Sequence, residues 1–265
     1  GIVDDLLQQG VIREDGYKPS KRGRRPILLH LREEADFSVG IDITSVGSLK
    51  AALLDLSCCP VAEYEADLSN TAPESVVEAI GEAYEALLRT TGASKSNVLG
   101  VGVTSPGPVD YAAGIIRRAV LFGWLNVPLC AMVSERIGKA VFSDLDVNVA
   151  AMGEYWYGDS GSRADDLVFI TVGAGIASSF LLDGEVMRKP HTSIGELGHT
   201  VIIADGPVCE CGSRGCLETV ASQRAMLRWV GEQLSAGVDS SLQADAGCLT
   251  SEKVYQAAPG GGSLA

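Results

Sequence analysis

The chain has 265 residues and a formal net charge of −13, and it is 46% hydrophobic and 21% charged. That length suits one large or two modest domains with real cores, and the acidic balance excludes a protein coated along its surface in nucleic acid. No stretch approaches the roughly 20 apolar residues that span a bilayer, no signal peptide is recognised, and seven cysteines with three of them clustered predict a reducing cytoplasm and no membrane partner.

Residues 1–12 place Ile2, Val3, Leu6 and Leu7 on one helical face that stops at Gly10. Asp15-Gly16 reads as a hairpin-turn dipeptide, and Ile27 to Leu31 as a short strand. Between Tyr17 and Arg32 the basic residues Lys18, Lys21, Arg22, Arg24, Arg25 and Arg32 run without an intervening acid. A helix end, a glycine and a basic β-hairpin form the tail of a winged helix-turn-helix. Lys18, Lys21, Arg22, Arg24 and Arg25 in its wing suit phosphate contacts or minor-groove insertion. The competing reading is a solvated basic loop. The first helices of such a module are absent from the sequence.

From Phe37 the pattern changes. FSVGIDI, SLKAALLDL and PVAEYEADL read as three strands joined by short turns, and Glu74 to Thr91 as an amphipathic helix burying Val77, Ile80, Tyr84 and Leu87. VLGVGVT is a buried strand entering the SPGPVD turn. Val127 to Lys139 is predicted helical, AVFSDLD a strand and Asn148 to Tyr157 a helix. LVFITV and IASSFLLDG form a hairpin, and Cys216 to Leu234 a further helix. Beyond it the sequence is uninformative. It begins with Gly1 rather than methionine and ends in a Gly/Ser run, so a piece cut at the N-terminus and at the C-terminus is expected.

Within residues 195–218, GELGHTVIIADGPVCECGSRGCLE, His199 is followed after nine residues by Cys209-x-Cys211 and then by Cys216. Three thiolates and one imidazole make a closed, four-coordinate site, so a structural Zn²⁺ is predicted. Gly212 and Gly215 supply the tight turn that lets the thiolates converge. The competing reading is three buried or disulfide-bonded cysteines and an unrelated histidine.

GELGH followed by CxCGxxGCLE resembles the signature of the ROK family, which groups bacterial sugar kinases with sugar-responsive transcriptional repressors. Gly10, Ile12, Glu14, Gly16, Ser20 and Gly23 to Pro26 are similar to the run that leads from the DNA-binding module of the repressors into their core. The resemblance implies an α/β, actin-like ATPase (RNase-H-like) core of two lobes that bind sugar between them, preceded by a partial winged helix-turn-helix. The expected domains are residues 1–35 for the winged module, 36–145 for the first lobe and 146–265 for an incomplete second lobe with the zinc loop. It also implies a sugar-binding set of Gly107, Asp146, Glu196, His199 and Glu218. Trp124 is expected in the core rather than as a stacking platform.

The kinase branch needs two glycine-rich turns that cradle ATP phosphates. The first, typically DIGGTK, is Asp42-Ile43-Thr44-Ser45-Val46-Gly47 here, and the second, typically GTGIGGG, is Gly173-Ala174-Gly175-Ile176-Ala177-Ser178-Ser179. Both are degraded. Asp146 matches the kinase base, which accepts the proton of the attacking hydroxyl. Without the cradles it is expected to accept a sugar hydroxyl, or to cap the following helix. The favoured reading is a repressor that binds operator DNA and a sugar effector as a homodimer or higher homo-oligomer, with no catalytic residue. The alternatives are an ATP- and Mg²⁺-dependent sugar kinase and a DNA-independent sugar-binding protein.

Overall fold

The computed structural model describes residues 1–17, 27–44, 47–158, 165–188, 194–245 and 247–258. The chain divides into two compact units, Gly1–Asp146 and Val147–Ala265.

The first unit opens with α1 (Ile2–Gln8), β1 (Ile12–Tyr17) and β2 (Ile27–Leu31). Leu6 and Leu7 are partly covered, whereas Ile2 is 79% exposed, so only half of the predicted apolar face is shielded and none of it is buried. β1 and β2 pair antiparallel, Ile12 opposite Leu31. Asp15-Gly16 is not the hairpin turn. It lies inside β1, where the register slips between Glu14 and Tyr17 and Gly16 takes φ +71°, as in a β-bulge. Lys18, Lys21, Arg22, Arg24 and Arg25 lie outside the described residues.

A five-stranded sheet follows in the order β10-β6-β3-β4-β5, made of β3 (Phe37–Asp42), β4 (Gly47–Leu54), β5 (Pro60–Leu68), β6 (Val98–Ser105) and β10 (Val141–Leu145). β3, β4 and β5 run antiparallel by short turns; β6 and β10 lie parallel to β3, reached by helical crossovers. Alternation explains the core: Phe37, Val39 and Ile41 point one way from β3 and are buried, with their neighbours half-covered. Onto that face pack α2 (Pro73–Thr91) and α3 (Leu129–Ile137). α2 starts with Pro73, whose fixed φ suits a first helical turn, and stops at Gly92 in the left-handed region. It buries Val76, Val77, Ile80, Ala83, Tyr84 and Leu87. Each large aliphatic side chain so buried contributes about 1.5–3 kcal/mol.

A small second sheet, β7 (Val109–Asp110), β8 (Ile115–Ala119) and β9 (Trp124–Val127), was not expected. β9 takes the start of the helix predicted from Val127, which begins instead at Leu129 after Pro128. Trp124 is 4% exposed, donates Nε1–H to the Thr71 carbonyl at 2.6 Å and meets Phe122 edge-on at 5.0 Å, so it is a core residue.

The second unit contains α4 (Asp146–Tyr157), which begins at the last residue of the first, and the sheet β11 (Leu167–Val172), β12 (Ile176–Leu182) and β13 (Glu185–Val186). Ala151, Leu181 and Val186 form its buried cluster, with Met152, Tyr155, Leu167 and Phe169 packed around them. The helix predicted over Cys216–Leu234 is two helices, α5 (Glu218–Ala221) and α6 (Gln223–Ser235). They break at Ser222, whose extended backbone and side chain cap α6 by accepting the Ala225 N–H at 3.1 Å. A last helix, α7 (Ser251–Ala257), is capped likewise by Thr250. Among the described residues no helix is long and apolar enough to cross a membrane.

Candidate metal centre

The loop carrying the cluster is anchored to β12 by close backbone contact. Gly195 lies against Ser178 and Gly198 against Ile176, two residues on one side of the strand; a Cβ on either glycine would come within about 2.2 Å of a β12 carbonyl oxygen. The Gly195 carbonyl accepts from the Ser178 N–H at 2.8 Å and its hydroxyl at 2.9 Å. Glu196 then heads a single 3₁₀ turn, Leu197–His199, which sets the imidazole. The two glycines of GELGH are thus steric requirements of this docking.

The cysteines arrive on a second loop, cross-tied by Leu217 N–H to Thr200 O, Gly215 N–H to Pro207 O and Cys209 N–H to Ser213 O, all at 2.8–2.9 Å. Gly215 takes φ +69° against the Ile203 carbonyl, where no side chain fits. The donor atoms of His199, Cys209, Cys211 and Cys216 all lie within 4.8 Å of one another. Cys211 and Cys216 Sγ are 3.7 Å apart and Cys209 Sγ is 3.5 Å from His199 Nδ1. A tetrahedron with metal–sulfur arms near 2.3 Å has edges of roughly 3.7 Å, and a disulfide would need about 2.05 Å. The cysteines are free, so the site fits a four-coordinate metal and not a disulfide.

The thiols are not equivalent. Burial pushes Cys209 up to about 12, with the Glu218 carboxylate, 3.2 Å away, also favouring the thiol. Backbone and side-chain hydrogen bonds from Ser213 hold Cys211 down to about 7, and burial raises Cys216. A bound cation demands thiolates from all three and displaces these protons.

Of the predicted sugar residues, His199 is in the Cys/His cluster and Glu218 lies against it, with Oε1 also 3.5 Å from His199 Nδ1. Glu196 is exposed at the head of the histidine turn. Gly107 and Asp146 belong to the first unit. Gly107 follows β6 at a point where its backbone crowds the Arg118 carbonyl, and its own carbonyl accepts from the buried Ser105 hydroxyl at 2.5 Å. Asp146 is exposed as the first residue of α4, two positions earlier than predicted for that helix. Two supports escaped the sequence reading. Glu210, between two cluster cysteines, pairs with Arg224 of α6 at 2.6 Å, and Arg228 donates to the Thr219 carbonyl at 2.5 Å. The only sequence signal was an exposed charge pair separated by a loop.

The two phosphate-type turns are internally engaged. Asp42 Oδ1 accepts from the Thr44 N–H at 2.9 Å and the Thr44 and Thr104 hydroxyls at 2.7 Å. Burial raises the Asp42 carboxyl, but these bonds outweigh it and hold it below the ordinary carboxylate value. Ser45 and Val46 lie outside the described residues. In the second turn, between β11 and β12, the Gly173 N–H donates to the Gly175 carbonyl at 2.9 Å. Ser178 and Ser179 lie in β12 and are buried.

A family model described as the ROK family matches residues 38–258. The chain belongs to the ROK family. Its fold is the actin-like ATPase fold of that family. The chain is 30% identical to a xylose repressor from Caldicellulosiruptor bescii over 90% of its own length, and spans 59% of that relative. It is 32% identical to a glucokinase from Halalkalibacterium halodurans, covering 83% of this chain and 68% of the relative. Among solved structures, a ROK family transcriptional regulator, homologous to the E. coli MLC protein, superposes with a TM-score of 0.83 at 27% identity, over 97% of this chain and 64% of that one. A ROK glucokinase from Streptomyces griseus, solved with glucose and AMPPNP, superposes with a TM-score of 0.66 at 30% identity, over 76% and 62%.

Proposed function

We propose that this chain is the sugar-responsive part of a ROK transcriptional repressor, binding a hexose or related sugar without phosphorylating it. One observation carries the reading. The likeness to the solved regulator extends over 97% of the chain, and so over residues before Phe37, whereas the glucokinase likeness covers 76%. The α1–β1–β2 segment falls largely within the likeness to the regulator. The internally bonded turns at Asp42–Thr44 and Gly173–Gly175 support it, since donors spent within a turn are not offered to a phosphate.

In this reading Zn²⁺ has a structural role, held by His199, Cys209, Cys211 and Cys216, and has no chemistry of its own. Glu196, His199 and Glu218, with Gly107 and Asp146 from the first unit, contact the sugar; carboxylates suit paired hydroxyls because charge-assisted bonds are strong. Lys18, Lys21, Arg22, Arg24 and Arg25 meet DNA phosphates in a cytoplasmic homodimer. Sugar releases DNA only if it binds the two states with different affinity. Fluorescence anisotropy with duplexes from the promoter of its own gene tests this: D-xylose or D-glucose at saturation is expected to raise the DNA Kd about tenfold. An unchanged Kd in the presence of a sugar that calorimetry shows to bind would sink the reading. The second reading, an ATP-dependent sugar kinase, draws on Asp146 at the base position and on the 32% identity to a glucokinase.

A further inference from the structure

Gly173 and Gly175 are what remains of a glycine-rich turn, and the regulator reading leaves them without a task. Neither has a positive φ, so the backbone at both positions accepts an L side chain. Their surroundings differ. A Cβ on Gly173 would meet nothing within 4 Å, whereas a Cβ on Gly175 would lie 3.0 Å from Glu218 Oε2. The other carboxylate oxygen, Oε1, is 3.2 Å from Cys209 Sγ and 3.5 Å from His199 Nδ1. One carboxylate therefore has one oxygen on the β11–β12 turn and the other on the metal cluster. The turn is fixed from behind, because the Gly173 carbonyl accepts the Gln223 N–H at 2.9 Å where α6 begins. Glu218 is fixed at its root by the Leu217 N–H bond to Thr200 O. The movable part is the carboxylate end.

We infer that Gly175 is a positioning residue whose missing side chain seats the Glu218 carboxylate against the metal cluster. A methyl group there leaves the hairpin intact and shifts the carboxylate by a few tenths of an ångström relative to Cys209 and His199. Groups that contact metal ligands from outside typically set metal affinity by 10–100-fold. On the sugar-binding reading, the same displacement shifts a sugar contact.

The test is a mutant cycle on the zinc-loaded chain, with zinc release to a chromophoric chelator as the readout. Glu218→Ala is expected to change the rate of zinc release about tenfold, and Gly175→Ala to change it in the same direction by a smaller factor. The double variant is expected to match Glu218→Ala, and Gly173→Ala to stay within about twofold of the parent. Additive effects, a parent-like Gly175→Ala, or a Gly173→Ala equal to Gly175→Ala would overturn the inference. If Gly175→Ala fails to fold, restoration of folding by Glu218→Ala in the double variant supports the contact, and persistent unfolding contradicts it. D-xylose and D-glucose calorimetry on the same proteins separates the two claims. Absence of sugar binding in the parent defeats the proposed function and leaves the zinc cycle to decide the role of Gly175.

Discussion

Cys211→Ser is expected to lower the zinc content from about one ion per chain to below about 0.1 and to weaken sugar binding on the order of 100-fold. Cys211 is the informative choice among the three cysteines because it is exposed, whereas Cys209 and Cys216 are buried. Serine there is nearly isosteric and leaves no core cavity, so the effect passes through the metal. Structural zinc supplies about 10–16 kcal/mol to small zinc domains at neutral pH, and three remaining donors retain only part of it. The loop from Thr200 to Cys216 would lose its cross-link, and with it the fixed placement of His199 and Glu218. The five-stranded sheet of the first unit has its own core and keeps its secondary structure by circular dichroism. Zinc content by atomic absorption and sugar affinity by calorimetry check the result. A variant that loses zinc yet keeps its sugar affinity would refute the coupling.

Arg24→Ala together with Arg25→Ala carries the second large effect. Each phosphate contact contributes about 0.9 to the slope of log K against log salt, so removal of two flattens that slope by about 1.8. The same relation gives a loss of DNA affinity of about 200-fold at 50 mM salt and about 20-fold at 200 mM. The loss should be the same for operator and unrelated duplexes, since phosphate contacts carry no sequence information. An unchanged salt slope would mean that these arginines do not touch the backbone of DNA.

The Cys/His cluster was legible in the sequence because ligand chemistry is a matter of residue type and spacing, and both survive without coordinates. The sheet of the first unit was legible for a different reason: β3, and β4 from Leu49 onward, alternate buried residues with more exposed ones, and two residues is the period of a strand. Elements without a strong apolar period were lost. β8 places Arg117 and Arg118 in mid-strand, and β7 has two residues. α7 buries nothing, so no apolar face announces it; only Thr250 marks its start. Turn dipeptides misled at Asp15-Gly16, because a left-handed glycine serves a bulge as well as a hairpin. The glycines at 195, 198 and 175 were visible as letters, but what each lies against is a long-range fact that no local pattern carries.

On the proposed function, this ROK chain holds a sugar and leaves it unphosphorylated. ¹H and ³¹P NMR of the zinc-loaded protein with D-glucose or D-xylose, ATP and Mg²⁺ tests it in one sample. Saturation transfer to the sugar with ATP intact and no sugar phosphate is the predicted result. A sugar phosphate that accumulates, and that disappears in Asp146→Asn, would contradict it.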